Sequence, residues 1–163
     1  MKRFAPLVAL ALMTAPAAIA GDIHVGLSPE FTEELEDEYG MREADYLVEE
    51  VQEDLTRELA KAGLDIARID VTIVDAMPNK PTFKQLGDTP GLDYGGSKSI
   101  GGMKLSATAY DAAGNTLGEL TYDWYETDIR NAGISTWQDA KRASDKFARK
   151  FVKQLSAGSP SGS

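Results

Sequence analysis

The sequence predicts an α+β domain, a three- to four-stranded antiparallel sheet with two helices packed on one face. Three observations predict it. Apolar residues recur every four positions through 41–62, three stretches alternate with the two-residue period of a half-buried strand, and a second helical stripe closes the chain. The resulting order is strand-helix-strand-strand-strand-helix.

Residues 1–20 come before that domain. Lys2 and Arg3 give a positive start, Leu7 to Met13 form a short apolar run, and Ala18 and Ala20 place small residues at −3 and −1 of a leader-peptidase site. This is the layout of a secretory signal peptide, cleaved after Ala20, with an apolar run too short to span a bilayer. It implies export to the periplasm, with an extracellular destination as the alternative. With no cysteine in the chain, attachment through a lipidated cysteine and disulfide bonding are both excluded. The mature chain holds no further apolar run of membrane-spanning length.

The first strand covers Ile23 to Leu27. Residues 28–40 are dense in Glu and end in Tyr39-Gly40, a loop or an irregular turn of helix. In the helix that follows, Leu47, Val51, Leu55 and Leu59 share a face with Ala44 and Val48, and Gly63 takes the C-terminal cap. Ile69 to Val74 alternates and is β-branched, hence a strand. Met103 to Tyr110 and Glu119 to Trp124 alternate on either side of Asp111-Ala-Ala-Gly-Asn115, a hairpin with Gly114 at positive φ. The last helix opens at Thr136, whose hydroxyl is placed to cap the Asp139 amide. Trp137, Ala140, Ser144, Phe147, Ala148, Phe151 and Leu155 make its apolar stripe. A single domain over 21–155 is expected, followed by a disordered Ser/Gly/Pro tail over 156–163.

Charge limits the partners. Without Lys2 and Arg3 the chain carries 15 basic against 26 acidic side chains, net −11, which repels nucleic acid and anionic membrane surfaces. The imbalance is local. Residues 30–62 hold 13 acids and 3 bases, whereas 136–155 hold six bases and two acids. An acidic helix lying beside a basic one accounts for that polarity.

The segment 77–102 is the chemical oddity, with three prolines and six glycines in 26 residues. Connections of that length inside a domain are commonly functional, and Phe83, Leu86, Leu92, Tyr94 and Ile100 give this one something to pack with. Asn79, Lys80, Phe83, Gln85, Asp93 and Tyr94 are the candidate ligand- or partner-binding residues. The run Gly95-Gly-Ser-Lys-Ser-Ile-Gly-Gly102 has the amides, lysine and hydroxyls of an anion loop. It lacks the Gly-Lys-Ser/Thr spacing, and a strand follows where a helix is needed, so the glycines read instead as a tight approach to the strand.

No catalytic residue, metal ligand set or cofactor motif emerges. His24 is the sole histidine and there is no cysteine. Asp75, Asp88 and Asp93 are the carboxylates that a hydrolase of an envelope polymer would have to use.

Helix, three-stranded meander, helix is also the order of the double-stranded RNA-binding domain, with Lys141, Arg142, Lys146 and Arg149 where its basic cluster would fall. That likeness is topological. Over residues 41–155 the chain resembles small bacterial envelope proteins of unknown function, often lipoproteins. It shares their helix, strand, glycine-rich approach and hairpin, here Gly101-Gly-Met103 to Tyr110-Asp-Ala-Ala-Gly-Asn-Thr-Leu117. The resemblance implies an envelope setting and transfers no catalytic residue.

The sequence therefore points to an exported, non-enzymatic binding or interaction module. Its working surface is the 77–102 loop, and its partner an unknown envelope protein or small ligand. Two further readings are the carboxylate hydrolase and a structural subunit of an envelope assembly. An exposed edge strand also offers a route to a homodimer.

Overall fold

The computed structural model describes residues 21–158; the leader and the last five residues of the expected tail lie outside the described residues. Strand β1 (Asp22–Leu27) leads into helix α1 (Pro29–Glu34), a π-helical turn (Leu35–Tyr39) and helix α2 (Arg42–Ala62). Strand β2 (Arg68–Met77), helix α3 (Phe83–Asp88), strands β3 (Gly102–Tyr110) and β4 (Thr116–Tyr125) and helix α4 (Gln138–Gly158) complete the order. The sheet runs β1-β2-β3-β4 in space. The α+β class is as expected, with α1 and α3 added.

One pairing departs from an all-antiparallel sheet. β1 pairs with β2 in parallel, in register from Asp22 opposite Arg68 to Leu27 opposite Ile73. The physical reason is the intervening α2, which returns the chain to the end from which β1 started. β2, β3 and β4 form the antiparallel meander. The parallel strand and the acidic α2 separate this sheet from the double-stranded RNA-binding order.

α2 and α4 cover one face of the sheet. Leu47, Val51, Leu55 and Leu59 from α2 and Ala140, Phe147, Phe151 and Leu155 from α4 meet Ile69, Val71, Ile73, Met103 and Leu105 from the strands, all buried. Ala107 and Ala109 are small enough for α4 to lie close to β3. One ion pair between the helices has the expected sense, Lys141 of α4 with Glu50 of α2 at 2.8 Å; a second runs the other way, Arg57 of α2 with Asp145 of α4 at 3.1 Å. The other sheet face is left uncovered by the helices and carries Lys104, Ser106, Thr108, Thr121 and Asp123.

The local signals resolve in three ways. Gly63 closes α2 at φ 62° with its N–H on the Leu59 carbonyl, and Gly114 turns the hairpin at φ 86°. Residues 28–40 form an ordered cap, because Ser28 accepts the Phe31 amide at 3.1 Å and Pro29 starts the helix. The α4 terminus differs from expectation at both ends. It begins at Gln138, and the Asp139 amide goes to Asn79 Oδ1 at 2.8 Å rather than to Thr136. It continues through Ser156 to Gly158, with the Ser156 hydroxyl bonded back to the Val152 carbonyl.

Candidate functional site

The 77–102 segment is tied down by a polar knot. Asn79 and Asp139 are both 0% exposed, and 60 residues apart in sequence they face each other directly. Asn79 Nδ2 donates to Asp139 Oδ2 at 2.5 Å and to the Ser99 carbonyl at 3.1 Å, while its Oδ1 accepts the Asp139 amide. The same Asp139 oxygen accepts the amides of Gly101 and Gly133, and the other oxygen pairs with Arg142 at 2.6 Å. Backbone bonds from Asn79 N to the Thr136 carbonyl and from Ser99 N to the Asn79 carbonyl complete it. Three loops are thus gathered around one carboxylate. Gly101 and Gly133 are glycine for lack of space: a Cβ on either would lie within 3 Å of the Asn79 side chain.

On this anchor the segment folds back as α3. Thr82 and Gln85 form a reciprocal capping box, each side chain bonded to the other's backbone amide. α3 buries no residue of its own, so this box is a large part of what holds it. Thr82→Ala is expected to cost about 1 kcal/mol and to raise amide exchange within α3 while leaving α2 and α4 protected; unchanged exchange in α3 would show the box to be dispensable.

Two of the concavities along the segment reach about 300 Å³ or more. One, of about 300 Å³, lies between Tyr39, Met77, Pro78, Gln85 and Leu92. The other, of about 350 Å³, is an open groove between the start of α2, α3 and the loop before α4, lined by Arg42, Tyr46, Phe83, Tyr94, Thr136 and Trp137. Phe83 is 75% exposed there, with Tyr94 and Tyr46 also exposed. Each exposed ring has a cation over it: Arg42 at 5.6 Å from Phe83, Lys80 at 5.9 Å from Tyr94, Lys141 at 5.8 Å from Tyr46. The groove floor is rigid. Trp137 is buried, packs edge-on to Tyr39, and donates its indole N–H to Glu43 at 2.7 Å.

The six sequence candidates separate into distinct placements. Phe83 and Tyr94 line the groove, and Lys80 reaches over Tyr94 while donating to the Gly95 carbonyl at 3.0 Å. Gln85 serves as half of the capping box and touches the smaller concavity. Asp93 turns inward on its own loop, accepting the amides of Gly96 at 2.6 Å and Gly95 at 3.1 Å, which hold its pKa below the usual carboxylate value. Those glycine amides are therefore already engaged by Asp93. Asn79 is the internal anchor, so its influence on the groove runs through the loops it fixes. Arg42 and Tyr46 were missed in the sequence because they sit on the polar side of α2, indistinguishable from a solvated face.

The carboxylates named for hydrolysis are turned to different partners. Asp88 pairs with Lys84 at 2.5 Å, Asp93 holds the glycine turn, and Asp75 accepts the Tyr125 phenol. Near Asp75, burial raises the Glu34 pKa and also raises both the Tyr39 and Tyr125 phenols well above their ordinary value. These groups make a carboxyl–phenol cluster at the sheet end. Among the described residues no group of three His, Cys, Asp or Glu side chains is arranged to hold a metal ion, and no helix is long and apolar enough to cross a membrane.

Fold and site together define a two-layer α+β domain with an aromatic, cation-rimmed groove built from the start of α2, α3 and the loop before α4. The chain belongs to the DUF3313 family, a family of proteins of unknown function, whose pattern it matches over residues 21–151. It is similar to a minor lipoprotein from Acinetobacter baumannii at 13% identity and a TM-score of 0.34, over 83% of this chain and 92% of that one. Comparison with curated proteins finds no match.

Proposed function

We propose that the chain is exported to the periplasm and acts there as a non-enzymatic binding module, with the groove around Phe83 and Tyr94 as the surface on which its partner sits. The observation that carries this reading is Phe83, a large apolar ring left 75% exposed on a helix whose start is fixed by two reciprocal hydrogen bonds. An apolar ring held out in water is disfavoured unless contact with another surface covers it. The neighbouring Tyr46 and Tyr94 extend it to a patch, and Arg42 and Lys80 supply the polar rim that a recognition surface needs. The signal-peptide layout read in residues 1–20 supports the envelope setting, as does the resemblance over 41–155.

The test is site-specific photocrosslinking in cells from positions 83 and 94, with position 104 of the inner strand β3, on the uncovered sheet face, as control. A discrete adduct from 83 and 94, absent from 104 and lost from 94 when Phe83 is replaced by Ala, is the expected result. Adducts that are the same from all three positions, or none from the groove, would sink the binding reading.

A further inference from the structure

Among the described residues the sheet ends in two open edges, β1 and β4, and the helices above them present opposite charge. At the first edge, the Asp22 amide bonds to the Ala67 carbonyl and the Ser28 amide to the Ile73 carbonyl, so the even residues of β1 face β2. Ile23, Val25 and Leu27 therefore turn their backbone groups outward. Beside this edge runs α2, with Asp45, Glu49 and Glu53 at four-residue spacing and exposed. None of the three has an ion-pair partner among the described residues.

At the far edge, the Glu126 amide bonds to the Gly101 carbonyl, which fixes the even residues of β4 on β3 and turns Glu119, Thr121 and Asp123 outward. Beside it runs α4, with Lys146, Lys150 and Lys153. Lys146 Nζ lies 3.5 Å from the Trp124 ring centre and Lys150 Nζ 5.2 Å from that of Tyr122, which holds both amines over β4. Among the described residues none of these lysines pairs with a carboxylate. Each edge has, among the described residues, one carbonyl guarded by a helix side chain, Ile23 by Gln52 at 3.2 Å and Glu119 by Gln154 at 2.9 Å.

We propose that these flanks are the two halves of a head-to-tail contact between copies of this chain, the β1/α2 flank of one copy meeting the β4/α4 flank of the next. The charge pattern selects this symmetry. With the helices on one side of a continued sheet, a two-fold contact through β4 would set lysines against lysines, and one through β1 acids against acids. Only the head-to-tail contact brings Glu49 and Glu53 toward lysines. Such a contact leaves a free flank at each end, so it propagates into a chain or closes into a ring instead of stopping at two. The net negative charge opposes association, but at physiological ionic strength that repulsion is screened beyond about 8 Å while contacts at the flank persist. The groove is not needed for this contact, so the inference stands or falls apart from the binding reading.

Charge exchange tests it. Sedimentation velocity of the purified protein at physiological ionic strength is expected to show species that grow past a dimer as concentration rises. E49K/E53K alone and K150E/K153E alone, all at exposed positions that leave Lys146 on Trp124, are each expected to lose about ten- to a hundredfold in self-affinity, since like charges then face each other. An equimolar mixture of the two restores assembly, because every flank again meets its opposite. Wild-type protein that stays monomeric or stops at a dimer would overturn the proposal. So would either variant assembling like wild type, or a mixture of folded variants that stays monomeric.

Discussion

Replacing Asp139 with alanine is expected to destabilise the protein by about 3 kcal/mol, the loss of the hydrogen bonds that the buried carboxylate accepts rather than of its ion pair, because its partner Arg142 is itself 42% exposed. The carboxylate is completely buried and receives Asn79, the Gly101 and Gly133 amides and Arg142. Its removal leaves buried donors without acceptors, each costing about 1–3 kcal/mol when water cannot reach it. The measurement is a urea midpoint shifted downward with the denaturant slope unchanged. Asp139→Asn retains an acceptor for the glycine amides while giving up the charge opposite Arg142, so it should fall between alanine and wild type. Because Asn79 and Asp139 satisfy each other, Asn79→Ala combined with Asp139→Ala should cost less than the sum of the two alone. An alanine variant within about 1 kcal/mol of wild type, or strict additivity of the pair, would show that the loops are held by something other than this knot.

The knot also marks where local sequence reasoning ends. Thr136 has the right residue type and spacing to cap α4, and by local rules it should; Asn79 takes the Asp139 amide instead, from 60 residues away. No periodicity in the chain links those two positions. The long elements were legible because their signals are local and repeated. Leu47, Val51, Leu55 and Leu59 mark the α2 stripe, and the alternation of Met103, Leu105, Ala107 and Ala109 marks the buried side of β3. α3 escaped because six residues cannot display a helical period, although Thr82-x-x-Gln85 is the spacing of a capping box and could have located it. The candidate site was legible in half of its wall. Phe83 and Tyr94 stand out as apolar residues in a loop, whereas Arg42 and Tyr46 join them only once α2 is placed beside α3.

Phe147→Ala is the second large effect, an expected loss of about 3–5 kcal/mol. Phe147 is completely buried, stacks on Phe151 with ring centres 5.8 Å apart and planes 15° from parallel, and meets Tyr122 of β4 at 6.4 Å. Several buried neighbours along α4 and β3 are already small: Ala140, Ala143, Ala148, Ala107 and Ala109. They have no side-chain length with which to fill the space, so the cavity stays open and the cost lies toward the upper end of the range. Phe147→Leu keeps most of the volume and should lose about 1.5 kcal/mol or less. The pair of variants also separates two meanings of an aromatic stripe on a helix. If the stripe is core, stability follows the volume removed, as measured by thermal or urea unfolding. If it formed a ligand site, alanine would leave unfolding unchanged and open room for a bound apolar molecule. With Phe147 sealed between α4 and the sheet, the first outcome is the one that the packing requires, and a Phe147→Ala protein as stable as wild type would refute it.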